Sequence, residues 1–357
     1  MNKVFIIFIY TMLIVYVSKG VCEESEDSSE DISFLVIPVA TYSSDTGFGG
    51  GFGALKSYHS TDNQVSTLQF LALYTEKKQF QTLIKLVHYF RNTDDRMIIK
   101  FGYIKYPTNF YGMGNNTSNK NPEKYTPEYF EGRVLYEKKI FQHFKIKTIF
   151  LFRNQSLIKS EPDGVFKLPN VPWSSGRFDA GPGIGLLWDS RDNSYATKRG
   201  MFAKIEYRGI LIQNEGGAFN FLSMEVRKFL NPLSDLVLAY MFRLEDCRGD
   251  TPFYLLADIG GMDRLRGYEY RRFLEKKAIL FQHDIRFPIW GPVGGAAFIA
   301  SGRVSDKVQD LFSGTYHTGY GGGLRYIFNE EDNLVLRFDY ALGKDSKGVY
   351  FTFSEAF

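Results

Sequence analysis

Cysteine is almost absent. The 357 residues hold two, Cys22 and Cys247, too far apart in sequence to suggest a disulfide framework. The five histidines show no ligand spacing, so no metal site is expected. A net charge of only +3 gives no reason to expect nucleic acid as a partner. The apolar run Val4–Val17 is short for a membrane-spanning helix, no run from Ser33 to Phe357 is long enough to cross as one, and helical periodicity after Ser33 never persists for more than about two turns. A bundle of membrane helices is thereby excluded. Asp189-Ser190-Arg191-Asp192 lacks a G-x-S-x-G elbow and a base partner, and the glycines of Gly47–Gly53 lack a following Lys-Ser/Thr and a helix. Neither a serine hydrolase nor a phosphate loop is supported. No catalytic residue, enzyme activity or cofactor is expected.

What abounds is aromatic and glycine: 33 Phe, 23 Tyr and 34 Gly, a composition of strands and tight turns. Alternation with a period of two recurs along the chain. Met201, Ala203, Ile205, Tyr207 and Leu211 form one face against Lys204, Glu206 and Arg208. Ile279, Phe281, Ile285 and Phe287 likewise oppose Gln282, Asp284 and Arg286, and Leu334, Leu336, Phe338 and Tyr340 oppose Arg337 and Asp339. A soluble sandwich would alternate too, so the pattern alone does not choose between the two.

Strand count and loop length do. Strands are predicted near 33–43, 48–58, 65–75, 79–91, 96–106, 127–138, 143–154, 179–189, 200–211, 218–229, 235–245, 274–287, 293–303, 317–328, 334–342 and 348–357. That is sixteen, an even number, each near the ~9–11 residues of a tilted membrane strand. The longest connectors, near 107–126, 155–178, 246–273 and 304–316, are all odd-numbered, whereas even ones such as Asn92–Asp95 and Asn231-Pro232 are tight. Long loops on one side and short turns on the other define an outer-membrane barrel. The predicted fold is all-β: a sixteen-stranded antiparallel transmembrane barrel over residues 33–357.

Ahead of it, Lys3, the apolar run Val4–Val17 and the small residues Ser18 and Gly20 read as a signal peptide, residues 1–20. Lys19-Gly20-Val21 before Cys22 is a poor lipoprotein box. Residues 21–32, acidic and Ser-rich, read as a disordered lead-in.

Four blocks in order carry a family resemblance. They are Gly181–Asn193 followed by Lys198-Arg199-Gly200; Gly260–Tyr268; Asp284-Ile285-Arg286-Phe287-Pro288; and Gly322-Gly323-Leu324-Arg325 with Arg337-Phe338-Asp339 and the terminal Phe357. The chain resembles the BamA/TamA superfamily of outer-membrane barrels, the bacterial surface antigen family. Weaker similarity lies upstream at Phe110–Asn116. The resemblance implies that Gly183, Gly185, Asp189, Arg191, Asp192 and Gly200 form the family's glycine strand and turn. It implies also that the sixth extracellular loop, with Arg266, Gly267 and Tyr268, enters the lumen and is anchored by its arginine. Phe351, Phe353 and Phe357, on one face of the last strand, resemble the family's C-terminal assembly signal.

Two departures matter. The strands begin about ten residues after the signal, which leaves no room for the POTRA domains that BamA, TamA and two-partner transporters carry. Where the family has F-x-D-x-G this chain has Phe298-Ile299-Ala300-Ser301-Gly302, so Ala300 stands in the place of a loop-contacting aspartate. An Arg266–Asp284 pair is therefore expected as the sole anchor, since a confined guanidinium needs an anionic partner. The functional expectation is a bacterial outer-membrane protein, set in lipid, that helps insert or export other outer-membrane proteins. Assembly machinery or a substrate barrel would be its partners, one of them supplying the periplasmic part. The alternative is a passive pore or surface antigen.

Overall fold

A computed structural model describes residues 33–357 apart from 62–63, 92, 94, 168–170, 194–195, 234, 330–333 and 354. The signal peptide and the acidic lead-in lie outside the described residues.

Twenty strands follow one another: β1 (Ser33–Ser43), β2 (Gly47–Thr61), β3 (Gln64–Thr75), β4 (Phe80–Tyr89), β5 (Arg96–Lys105), β6 (Thr108–Phe110), β7 (Glu123–Lys139), β8 (Phe144–Lys159), β9 (Phe178–Asp189) and β10 (Gly200–Ile210). Then come β11 (Ile212–Gln213), β12 (Phe219–Leu233), β13 (Leu236–Gly249), β14 (Ala257–Ile259), β15 (Phe273–Glu275), β16 (Lys277–Trp290), β17 (Val293–Ser305), β18 (His317–Asn329), β19 (Leu334–Gly343) and β20 (Ser346–Phe353). The main sheet has eighteen strands, and β14 and β15 form a separate hairpin. Without the short flanking pieces β6 and β11, sixteen strands remain, antiparallel and closed into a barrel where β20 meets β1.

The alternation now has a direction. On β9, Ile184, Leu186 and Trp188 are exposed while Leu187 is buried. On β16, Phe281 and Phe287 face outward, and Gln282, Asp284 and Arg286 are buried within. Apolar outside and charged inside is the reverse of a soluble sandwich and the arrangement of a lipid-embedded barrel. No helix among the described residues is long and apolar enough to cross a membrane, so the strands do the crossing.

The long connectors fall at one end, between β5 and β7, β8 and β9, β13 and β16, and β17 and β18. They do not splay. Phe110, Tyr125, Phe166, Phe253, Tyr254 and Leu274, drawn from different connectors and strand ends, pack into one buried apolar cluster over the lumen. The segment expected as one strand at 274–287 is divided: β15 closes a hairpin with β14 inside the connector, and β16 starts at Lys277. The last strand stops at Phe353 rather than reaching Phe357.

Candidate functional site

The connector between β13 and β16 turns back into the barrel. Gly267 makes this possible. Its φ of +95° suits glycine, and a Cβ there would lie 2.7 Å from the Leu342 carbonyl carbon. The loop backbone is thus pressed against β19, with the Gly267 N–H donating to Tyr350 Oη at 3.0 Å. Gly319 on β18 leaves similar room, since a Cβ there would meet the Arg266 carbonyl oxygen at 2.1 Å. Tyr268 is buried, donates to the Thr318 carbonyl at 3.3 Å and accepts from the Lys344 N–H at 2.9 Å.

Arg266 itself is fully buried. Its Nη2 donates to Asp284 Oδ1, as the sequence led us to expect. Its Nη1 donates to Asp339 Oδ2 at 2.9 Å, and its guanidinium carbon lies 3.5 Å from the centroid of the Phe298 ring. Asp284 is therefore not the sole anchor. Ala300, buried on β17, offers no carboxylate, and Asp339 on β19 supplies the second one. Burial opposes the charge, yet Asp284 and Asp339 outweigh it and hold Arg266 above the usual arginine range.

The pair belongs to a larger network that the sequence reading missed. Arg325 donates to Asp339 at 2.6 Å, Arg337 bonds Asp263 of the loop at 3.1 Å, and Arg286 lies 3.9 Å from Asp284. Glu355 bridges Arg325 at 2.9 Å and Arg286 at 3.6 Å. Arg266, Arg286, Arg325 and Arg337 thus meet the buried Asp284, Asp339 and Glu355, with Asp263 as a fourth, exposed acid at the edge of the network. Three of these groups stood in the motif Arg325…Arg337-Phe338-Asp339, on the inward face of the alternation. That was the available signal.

Three more arginines fasten the loop. Arg264 pairs with Asp258 at 3.0 Å and Glu245 at 3.4 Å, and Arg271 pairs with Asp258 at 3.1 Å. Arg272 donates to Thr117 Oγ1 at 2.6 Å and stacks 4.3 Å from the Tyr111 ring, so the Phe110–Asn116 block is docked on this loop. At the outer rim the Tyr270 N–H donates to Asp45 in the β1–β2 turn at 3.1 Å. Burial, with the Glu269 carboxylate, pushes Asp45 up to about 7, against the opposing Tyr270 N–H and Lys77.

The glycine-strand motif lies elsewhere, in β9 and the turn leading to β10. Gly183 and Gly185 leave room for β10: a Cβ would lie 2.8 Å from the Tyr207 carbonyl oxygen at the first and 3.1 Å from that of Ile205 at the second. Asp189 pairs with Arg191 at 2.8 Å. Asp192 accepts the N–H groups of Lys198 and Arg199 at 3.1 and 3.2 Å, closing the turn before Gly200. These residues shape a turn and do not join the Arg266 cluster.

A third feature is the seam. β1 pairs with β2 along its whole length, from Ser33↔Ser57 to Ser43↔Gly47. Among the described residues its register with β20 covers Tyr42↔Phe351 and Ser43↔Tyr350, supplemented by the Ser44 N–H donating to the Val349 carbonyl at 3.1 Å and Thr41 Oγ1 donating to the Phe351 carbonyl at 3.1 Å. Phe34, Leu35, Val36 and Ile37 are all exposed, 43–63%, although successive residues point to opposite faces. Both faces of this stretch are thus uncovered, as they are at Leu83 and Ile84 on the fully paired β4. The expected terminal stripe is corrected as well. Phe351 lies on β20 and the Phe353 side chain lies outside the described residues, but Phe357 is buried inside, its ring 6.3 Å from Phe229.

An apolar exterior, a charged interior and a loop locked into the lumen define a transmembrane β-barrel of the loop-plugged kind. The chain belongs to the Omp85 superfamily, whose domain profile matches residues 61–357. Among solved structures it resembles BamA from Haemophilus ducreyi lacking POTRA domains 1-3, with TM-score 0.63 and 14% identity over 92% of this chain and 71% of that one. It also resembles CdiB from Acinetobacter baumannii, with TM-score 0.58 and 12% identity over 92% of this chain and 60% of that one. At such identities the likeness is one of fold. No curated protein matches the chain.

Proposed function

We propose that this protein resides in the bacterial outer membrane and assists the assembly or translocation of outer-membrane or surface proteins, by offering the free edge of β1 to an incoming strand. The observation that carries this reading is the seam: among the described residues it is closed over Thr41–Ser44 alone, and the backbone from Phe34 to Thr41 has no partner on the β20 side. An exposed strand edge is a template for a further strand, with main-chain hydrogen bonds giving affinity and alternate side chains giving choice. The work is strand pairing, not covalent catalysis. A separate partner supplies the periplasmic part that delivers the substrate.

The test places a photo-crosslinking residue at Val36 in cells and asks what it captures. Capture of nascent barrel proteins, with a fall in outer-membrane protein levels on depletion, supports the reading. A barrel that captures none and shows steady open conductance in planar bilayers would be a passive pore, and the reading fails.

A further inference from the structure

Around the lumen wall, cations and carboxylates are mostly matched. Arg243 and Arg227 share Glu225 at 2.8 and 2.6 Å, Lys147 meets Glu206 at 2.9 Å, and Arg96 meets Glu137 at 2.7 Å. Four cations stand outside this matching. Among the described residues Lys85 on β4, Lys100 on β5 and Arg208 on β10 form no ion pair. Arg133 on β7 reaches only Glu131, at 3.8 Å, a carboxylate that Arg153 also approaches to 3.7 Å.

Three of the four form a row. Lys85 is paired directly with Lys100, and Lys100 directly with Arg133. Their chain neighbours Ile84, Phe101 and Val134 are exposed on the outer face, so the three cations look inward. Adjacent strands lie about 4.8 Å apart, and like charges set directly opposite one another destabilise a sheet. The fold alone gains nothing from this row.

Arg208 adds a second observation. Gly183 faces it across the β9–β10 pair, and a Cβ there would lie 2.7 Å from Arg208 Cγ. The missing side chain is what lets the arginine stem lie over β9. Its guanidinium carbon stands 4.1 Å from the centroid of the Phe221 ring, while its Nε is closed off from solvent with no hydrogen-bond acceptor. A buried donor of a charged group left without an acceptor is costly. Arg208 and Arg133 line one cavity of about 360 Å³, bounded on its other side by Arg264, Tyr270 and Arg271 of the lumen loop.

We infer that this cavity binds a small oxyanion of the phosphate class, held by Arg208 and Arg133 and drawn in along Lys100 and Lys85. Guanidinium groups present forked N–H donors that match an oxyanion, whereas the lysines act as point charges. The bound anion supplies the acceptor that Arg208 Nε lacks and offsets the repulsion along the row. The site lies away from the β1 edge, and its test needs no assembly activity.

The test titrates inorganic phosphate into the full-length barrel in nonionic detergent and phosphate-free buffer, read by calorimetry. Chloride at matched ionic strength is the comparison. Phosphate should bind saturably and raise the temperature at which heat-modifiable migration is lost, and chloride should do neither. Arg208→Gln should weaken phosphate binding at least tenfold, with Arg208→Lys, which keeps the charge without the fork, falling between. The double change Lys85→Gln with Lys100→Gln should weaken it by a smaller factor. Arg133, 45% exposed, tolerates replacement readily, so Arg133→Gln carries the tenfold prediction should Arg208→Gln fail to fold. No saturable phosphate binding in the parent, an equal effect of chloride, or undiminished affinity in a folded Arg208→Gln or Arg133→Gln barrel would overturn the site.

Discussion

Arg266 and Asp339 are joined across the lumen by a 2.9 Å hydrogen bond, although they stand 73 residues apart. With Asp284 this gives the buried guanidinium a carboxylate on each of two separate strands, β16 and β19. Removing either acid leaves buried positive charge uncompensated. Asp339→Asn should be the worse change, because Asp339 also serves Arg325 at 2.6 Å. Loss of one member of such a pair costs about 3–5 kcal/mol. Limited proteolysis of the folded barrel should show the 250–276 connector protected in the parent, partly cut in Asp284→Asn and readily cut in Asp339→Asn. Unchanged protection in Asp339→Asn would show that Arg266 does not depend on it.

Gly267 tests the same anchor through the backbone. An alanine there must hold φ at +95° and place its methyl 2.7 Å from the Leu342 carbonyl carbon. A left-handed conformation costs roughly 1–2 kcal/mol and overpacking about 1–3 more. Gly267→Ala should therefore release the loop about as far as loss of one carboxylate does. It should also lower the temperature at which the barrel loses its heat-modifiable migration.

The strand number, the side bearing the long loops and the Arg266–Asp284 pair were all legible in the sequence. Each follows from a local pattern: alternation, connector length, or a short motif placed in a strand count. Asp339 was half legible. Alternation put it on the inward face, but which inward residue meets which across the lumen depends on where distant strands fall around the barrel, and no local period encodes that. The tail misled for a related reason. Val349, Phe351, Phe353 and Phe357 read as one apolar stripe, and the reading passed over Glu355, the charge that interrupts it. That interruption was the signal that the strand would stop.

Asp45 makes the outer rim sensitive to pH. Its pKa is raised to about 7 by burial and by the Glu269 carboxylate, while the Tyr270 N–H and Lys77 act in the opposite sense. A carboxylic acid whose folded pKa lies above its ordinary value, about 3.9, favours the folded contact most when protonated. Its contribution is complete below the ordinary carboxylate range and is lost as pH rises through about 7. The tether between the β1–β2 turn and Tyr270 should thus loosen between pH 5 and 8, roughly the interval around that value. Protease nicking near Tyr270 should rise across this range in the parent. In Asp45→Asn, which can still accept the Tyr270 N–H but cannot ionise, it should stay flat. A parallel rise in both proteins would remove Asp45 as the cause.

The seam offers the most direct test of function. In a Glu355→Leu barrel carrying Ile37→Cys and Ala356→Cys, oxidation would bind the tail to β1 and cover the backbone edge that, among the described residues, has no β20 partner from Phe34 to Thr41. A guest strand needs those backbone groups, so the locked barrel should be folded, present in the membrane and inactive. Outer-membrane protein levels in cells relying on it should fall to those of the depleted strain and recover when a membrane-permeant reductant opens the bond. The single-cysteine parents control for the substitutions themselves. Normal protein levels with the bond intact would mean that substrates do not enter along β1, and strand templating at this edge would have to be abandoned.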